Sequence, residues 1–299
     1  MTSQPTLNNW FSVIALGVIW GGTFMVVRIA LDGYPPMTVA CARTTLGAIA
    51  LFGLLKALGR PLPRLDRRML TYLVGIGTLN TALPFVLLSW GQQFVPSAFA
   101  GISMAALPLF VLPLAHLFSD EKMNNRNAAG VLLGFVGALI LVGPGVLRLG
   151  SGFEPWGQIA CLAAALSYAI SNVLTRTCPP IDSIALAVLT LVVGAVMLIP
   201  LMLLIDGVPT ISDQRSTAAI LFLGFFPTAL AALLRVSIIR TAGSVFMTLV
   251  NYQVPLWSVL FGVWLLDEVL PLNFFAALGL ILLGLMVSQW QGLRRLFRR

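Results

Sequence analysis

Residues 107–121 read LPLFVLPLAHLFSDE, and residues 254–268 read VPLWSVLFGVWLLDE. Each stretch opens on an X-Pro step, runs through apolar residues and stops at an Asp-Glu pair, with Asp120 and Asp267 set 147 residues apart. Sliding the chain against itself by that interval also superimposes Gly77 on Gly224, Thr81 on Thr228, Ala82 on Ala229 and Leu83 on Leu230. Further along it matches Ser97 with Ser244, Phe99 with Phe246, Pro108 with Pro255, Glu121 with Glu268 and Gly137 with Gly284. The register holds without a gap, so the chain is read as a duplication.

The surroundings of the two stretches say what was duplicated. Hydrophobic residues make up 59% of the 299 and charged residues 9%, against roughly 45–50% and about 25% in soluble domains. Runs of about 20 apolar residues, enough to cross a hydrocarbon core as helix, recur at 10–31, 37–57, 69–91, 97–118, 127–143, 156–175, 184–205, 217–238, 244–266 and 273–291. The fold class expected is therefore all-α integral membrane, with ten transmembrane helices as two inverted five-helix repeats. The repeats are placed at 10–145 and 155–292, followed by a basic tail at 293–299. The first span is too long, and too weakly charged on its N-terminal side, for a cleaved signal peptide, and is expected to stay in the mature protein.

An odd number of crossings per repeat inverts the second copy in the bilayer. Basic residues then give the orientation: Lys56, Arg60, Arg64, Arg67, Arg68, Lys122, Arg126, Arg176, Arg235, Arg240 and the four tail arginines fall on the side of the termini. Only Arg28, Arg148 and Arg215 fall on the other side. The positive-inside rule places both termini in the cytoplasm. The net charge of +8 thus describes topology, and no nucleic-acid partner is expected. Inverted repeats are typical of secondary transporters, in which two similar halves exchange roles around a midplane site.

The strings VIWGGTFMVVRIAL in span one, PPMTVACARTTLGAIAL in span two and PLFVLPLAHLFSDEKMNNRNAAGVLLGFVGALILVG across spans four and five resemble the EamA domain of the drug/metabolite transporter superfamily. PLWSVLFGVWLLDEVLPLNFFAALGLILLGLMV repeats the last of them in the second half. The family's tryptophan matches Trp20, its span-two arginine Arg43, its span-four proline Pro108 and Pro255, and its acidic residue Glu121 and Glu268. Two departures stand out. Span seven has no counterpart of Arg43, and Tyr168 stands where Trp20 would repeat. Within the superfamily the chain also resembles the YddG-like amino-acid exporters, a branch that none of these motifs separates from its neighbours. The resemblance implies a central cavity lined by spans one, three, four, six, eight and nine.

Candidate residues follow from depth and side-chain type. Asn251 and Tyr252 sit near the midplane of span nine, just before Pro255, and Asn80 holds a similar place in span three. Trp20, Phe24, Tyr168, Phe226 and Trp257 are aromatics too deep to serve as interfacial anchors. With Asn80, Asn251 and Tyr252 they are the cavity candidates, suited to uncharged or zwitterionic cargo. Pro84, Pro108, Pro227 and Pro255 are candidate kinks, because proline removes a backbone donor, and Glu121 and Glu268 join them as gating candidates. Arg43, buried about two turns into span two, is expected to hold helix ends or a loop carboxylate such as Asp32; the alternative is an anionic group of the substrate.

Several classes of mechanism lose support. All ten acidic residues lie in loops or at span ends, so no central carboxylate is present to carry protons, and a facilitator or exchanger is expected ahead of a proton-coupled multidrug or nucleotide-type carrier. The single histidine, His116, falls near a span end. No GxxxxGK loop for ATP occurs, and no nucleophile turn or two-histidine metal site for an enzyme. Nothing calls for a cofactor. Cys41, Cys161 and Cys178 show no pairing pattern and read as packing residues. The cargo expected is a small metabolite, an amino acid foremost, moved outward by a monomer or homodimer embedded in the lipid bilayer.

Overall fold

The computed structural model describes residues 6–63, 65–118, 123–146 and 152–297. Asp120 and Glu121, the acidic pair of the first repeat, lie outside them, as do Arg298 and Arg299 of the tail. Among the described residues the regular structure is entirely helical. The helices are α1 (Leu7–Leu31), α2 (Pro36–Ala57), α3 (Arg67–Gly77, Thr78–Ala82 and Leu83–Gly91) and α4 (Ser97–Ala105 and Leu107–Phe118). They continue as α5 (Asn125–Val146), α6 (Glu154–Thr177), α7 (Ser183–Ile205) and α8 (Gln214–Gly224, Phe225–Leu230 and Ala231–Ala242). The last two are α9 (Ser244–Met247 and Leu249–Leu265) and α10 (Leu272–Phe297). Among the described residues nine of the ten are long and apolar enough to cross a membrane, and α9 contributes a shorter apolar helix, Leu249–Leu265.

Several spans begin earlier than hydropathy alone indicates, because caps outside the apolar runs start them. Asp66 accepts from the Met69 N–H at 2.6 Å and Asp213 from that of Ser216 at 2.9 Å. These are equivalent positions under the 147-residue shift, each satisfying a free donor of a first helical turn. Proline at the first position of α2 serves the same end by presetting the backbone.

The duplication reappears in the packing. Gly47 of α2 lies against Thr228 of α8, and Gly194 of α7 against Thr81 of α3, where an added Cβ would stand 3.0 Å from the threonine methyl. Each pair is the image of the other. Likewise Gly224 abuts Leu46 while Gly77 abuts Val193 at 2.8 Å. On α5 and α10, Gly130 meets Gly284 and Gly137 meets Ala277, a self-image about the pseudo-twofold axis. Small residues at crossings allow backbones in lipid to approach closely, where dispersion replaces the hydrophobic drive. The outer pairs α2–α7 and α5–α10 flank a centre built from α1, α3, α4, α6, α8 and α9.

Two short π-helical segments interrupt the centre, Thr78–Ala82 in α3 and Phe225–Leu230 in α8. They too are images of one another. Pro84 and Pro227 explain them: each lacks the N–H that would serve the carbonyl four residues back, and the helix widens locally. In α8 the Thr228 hydroxyl takes the freed Leu223 carbonyl at 3.0 Å.

Candidate functional site

The end of the bundle away from the chain termini is tied by charges acting on helix ends. After α9 the chain turns through Asp267, whose φ of +54° is left-handed, a conformation that short acidic side chains tolerate better than most. That turn throws Glu268 back over α4. Its carboxylate accepts from the backbone N–H groups of Ser97 at 2.6 Å and Ala98 at 3.1 Å. These are unsatisfied donors at the positive end of a helix, where a carboxylate is doubly favoured. Below this cap Gly101 packs directly on Ser258, and Gly262 on the Glu268 carboxylate, so α4 and α9 are closed together along their outer halves. Asp206, at the end of α7, accepts from the N–H of Thr38 at 2.7 Å and its hydroxyl at 2.8 Å, at the start of α2. Arg28 donates to the Gln92 carbonyl at the end of α3 at 2.9 Å.

The end that bears the termini is arranged differently. The second piece of α4 leans on α6 and α5, whereas the short first piece of α9 packs on α8 and α10 and meets Trp10 edge-on at 4.9 Å through Phe246. Here α4 and α9 part. Arg60 pairs with Asp182 between the loops that flank α2 and α7, and Thr241 bonds to Asn9 at 3.0 Å. Neither contact joins α4 to α9.

Between the two ends lie the residues expected from sequence. Trp20 is half-buried and donates its indole N–H to the Pro227 carbonyl in the α8 π segment at 3.3 Å. Ser167, beside Tyr168, does the same for the other half, donating to the Leu79 carbonyl in the α3 π segment at 2.8 Å. Each π segment is therefore held by the first helix of the opposite repeat. Asn80 and Asn251 are half-buried, and their amides have no hydrogen bond among the described residues. The Tyr252 hydroxyl is buried, with no hydrogen-bond partner among the described residues. Trp257 is half-buried, stacked on Phe261 at 5.7 Å, with its Cβ against Gly21. Pro108 follows the break in α4 at Ala106, while α9 breaks at Thr248 rather than at Pro255, which stays inside the helix.

Phe24 and Phe226 occupy different settings from these. Phe24 is 7% exposed and packs on Gly101, inside the central apolar cluster that seals the closed seam. Phe226 stacks on Phe222 at 4.7 Å along α8 and is 45% exposed, which is not an enclosed position. The periodicity could not separate these cases, since nearly every position in these spans is apolar.

Arg43 also departs from the expectation. It makes no ion pair, with Asp32 or any other carboxylate, among the described residues. Asp32 is exposed. The guanidinium instead lies over the Phe85 ring, 3.9 Å from its centroid, with Tyr168 the ionisable group near enough to act on it. Sequence reasoning missed the receiving groups at Ser97, Ala98 and Thr38, because backbone N–H groups leave no signature in side-chain types. It also missed the wholly buried Gln92, whose amide has no partner at either atom among the described residues.

Comparison with known proteins agrees with this architecture. A solved crystal structure superimposes with a TM-score of 0.67 over 98% of this chain and all of the other, at 20% identity, and so shares the fold. The "Uncharacterized inner membrane transporter YedA" of Escherichia coli K12 is 29% identical over 96% of this chain and 92% of its own. A "Probable terminal-alkyne amino-acid exporter" of Streptantibioticus cattleyicolor is 27% identical over 96% and 95%. Residues 10–143 and 155–289, the helices of each half in turn, match the sequence profile of the EamA-like transporter family twice. With both halves covered, the chain belongs to the EamA-like transporter family.

Proposed function

We propose that this protein is a secondary transporter that carries an amino acid or closely related metabolite across the cytoplasmic (inner) membrane by alternating access, with net movement outward. The single observation that carries the reading is the unequal closure of α4 against α9. Glu268 clamps their outer halves, whereas toward the termini the second piece of α4 packs on α6 and α5 and the first piece of α9 on α8 and α10; Glu121, the counterpart of Glu268, lies outside the described residues. One end is shut and the other is parted, which is one of the two states an inverted duplication can alternate between. The density of arginine and lysine beside the termini supports a cytoplasmic location for the parted end. The moving bodies are the two repeats, 10–145 and 155–292. A single chain carries the pathway, whether as a monomer or as half of a homodimer. Amino-acid cargo is supported by the exporter relative and by half-buried amides and aromatics at mid-depth, which suit a zwitterion with an apolar side chain.

The test is counterflow in proteoliposomes, with each L-amino acid, nucleosides and organic cations offered in turn. Saturable exchange of one or more amino acids is expected. Because no carboxylate lies at mid-depth, an imposed proton gradient is expected to leave the rate unchanged. No exchange of any amino acid would overturn the cargo assignment, and a proton-stimulated rate would overturn the facilitator mechanism.

A further inference from the structure

We propose, building on the transport reading, that Arg43 is the receptor for the carboxylate of the cargo. Its side chain is 8% exposed, its Nε is enclosed with no acceptor, and neither Nη has one among the described residues. A permanent cation in such a setting is costly unless something anionic joins it. The carboxylate at the same end of α2 is already committed: Asp206 accepts from Thr38. Phe85 lies beneath the guanidinium and belongs to an apolar cluster with Cys41, Leu198 and Met202. A stacked guanidinium keeps its in-plane donors free, and their fork matches a carboxylate.

The duplication supplies an independent argument. The position equivalent to Arg43 in the second repeat is Thr190, whose hydroxyl bonds back to its own helix at Leu186 and Ala187. α7 packs on α3 as α2 packs on α8, so this helix position does not need a cation to pack. What Arg43 adds is present on one side of the site only. Tyr168 of α6 packs both against the central cluster and against the cluster that contains Phe85. A resident inorganic anion could satisfy the same guanidinium, and the experiment separates the two.

The probes are the twenty L-amino acids, pyruvate and lactate, the corresponding amides, and chloride against gluconate, each added to the full-length protein in detergent while its melting temperature is followed. At least one carboxylate is expected to raise the melting temperature, its amide is not, and Arg43→Met is expected to weaken that carboxylate on the order of 100-fold. Arg43→Met without ligand is expected to melt at or above the wild-type temperature, as removal of an unpaired buried charge should. A drop in melting temperature would instead assign Arg43 to the scaffold. Equal responses to a carboxylate and its amide, a response to chloride alone, or no response to any carboxylate would each overturn the proposal. Counterflow of the amides at the rates of the acids would overturn it too while leaving the transport reading intact.

Discussion

Glu268 shows how much one side chain can decide in a bilayer. Its carboxylate stands at the first N–H groups of α4, and such a charge at a helix N-terminus contributes about 0.3–1 kcal/mol at the surface and up to ~2 kcal/mol when partly buried. On the proposed alternating access, where two states differ by a few kcal/mol, that is enough to set which end is open. Replacing Glu268 by Gln keeps one acceptor and loses the charge, so about 1 kcal/mol less favours the closed outer end. Labelling of Ser258→Cys by an impermeant maleimide from that side, with the three native cysteines replaced by serine, should speed up about fivefold. An unchanged rate would mean that the clamp plays no part in closure. The importance of Glu268 was visible in the sequence, as the acid repeated at an interval of 147. Its partners were not, since they are peptide groups. Arg43 shows the same limit from the other direction: hydropathy gave its depth, but not its rotation toward Phe85 and away from Asp32.

At the scale of whole helices, ends and interruptions carry most of the information. Asp182 starts α7 by accepting from Ile184 at 2.9 Å and Ala185 at 3.2 Å, and it also pairs with Arg60. Partial burial pushes its carboxyl upward, but the Ala185 and Ile184 N–H groups and the Arg60 guanidinium outweigh this and hold it below the ordinary carboxylate range. A depressed value in the folded protein means that the stabilisation is complete above the unfolded value, about 3.9. It is lost as pH falls through the lower folded value. The melting temperature of the wild type in detergent should therefore decline more steeply below about pH 4 than that of Asp182→Asn. Parallel curves would exclude this cap as the source. Pro84 and Pro227 marked the interrupted depth of α3 and α8 in the sequence. That the interruption would be a π segment, held by Trp20 and Ser167 from the opposite repeat, depends on contacts between chain segments more than 80 residues apart. Along α1 apolar residues fall on nearly every face, and only packing on Gly101 picks out the side Phe24 presents.

For the molecule as a whole, the interval that revealed the duplication also locates what need not move. Gly130 with Gly284 and Gly137 with Ala277 lie on the pseudo-twofold axis, so exchanging the roles of the two repeats maps this crossing onto itself. Gly262 against Ala98 lies off that axis, and exchanging the repeats carries it to a different pair, Ala115 and Val245. In the proposed alternating-access cycle the α5–α10 crossing is then the fulcrum and the α4–α9 seam the travelling edge. A covalent staple across the fulcrum should let cargo pass at an undiminished rate, whereas one across the seam should stop turnover until it is reduced.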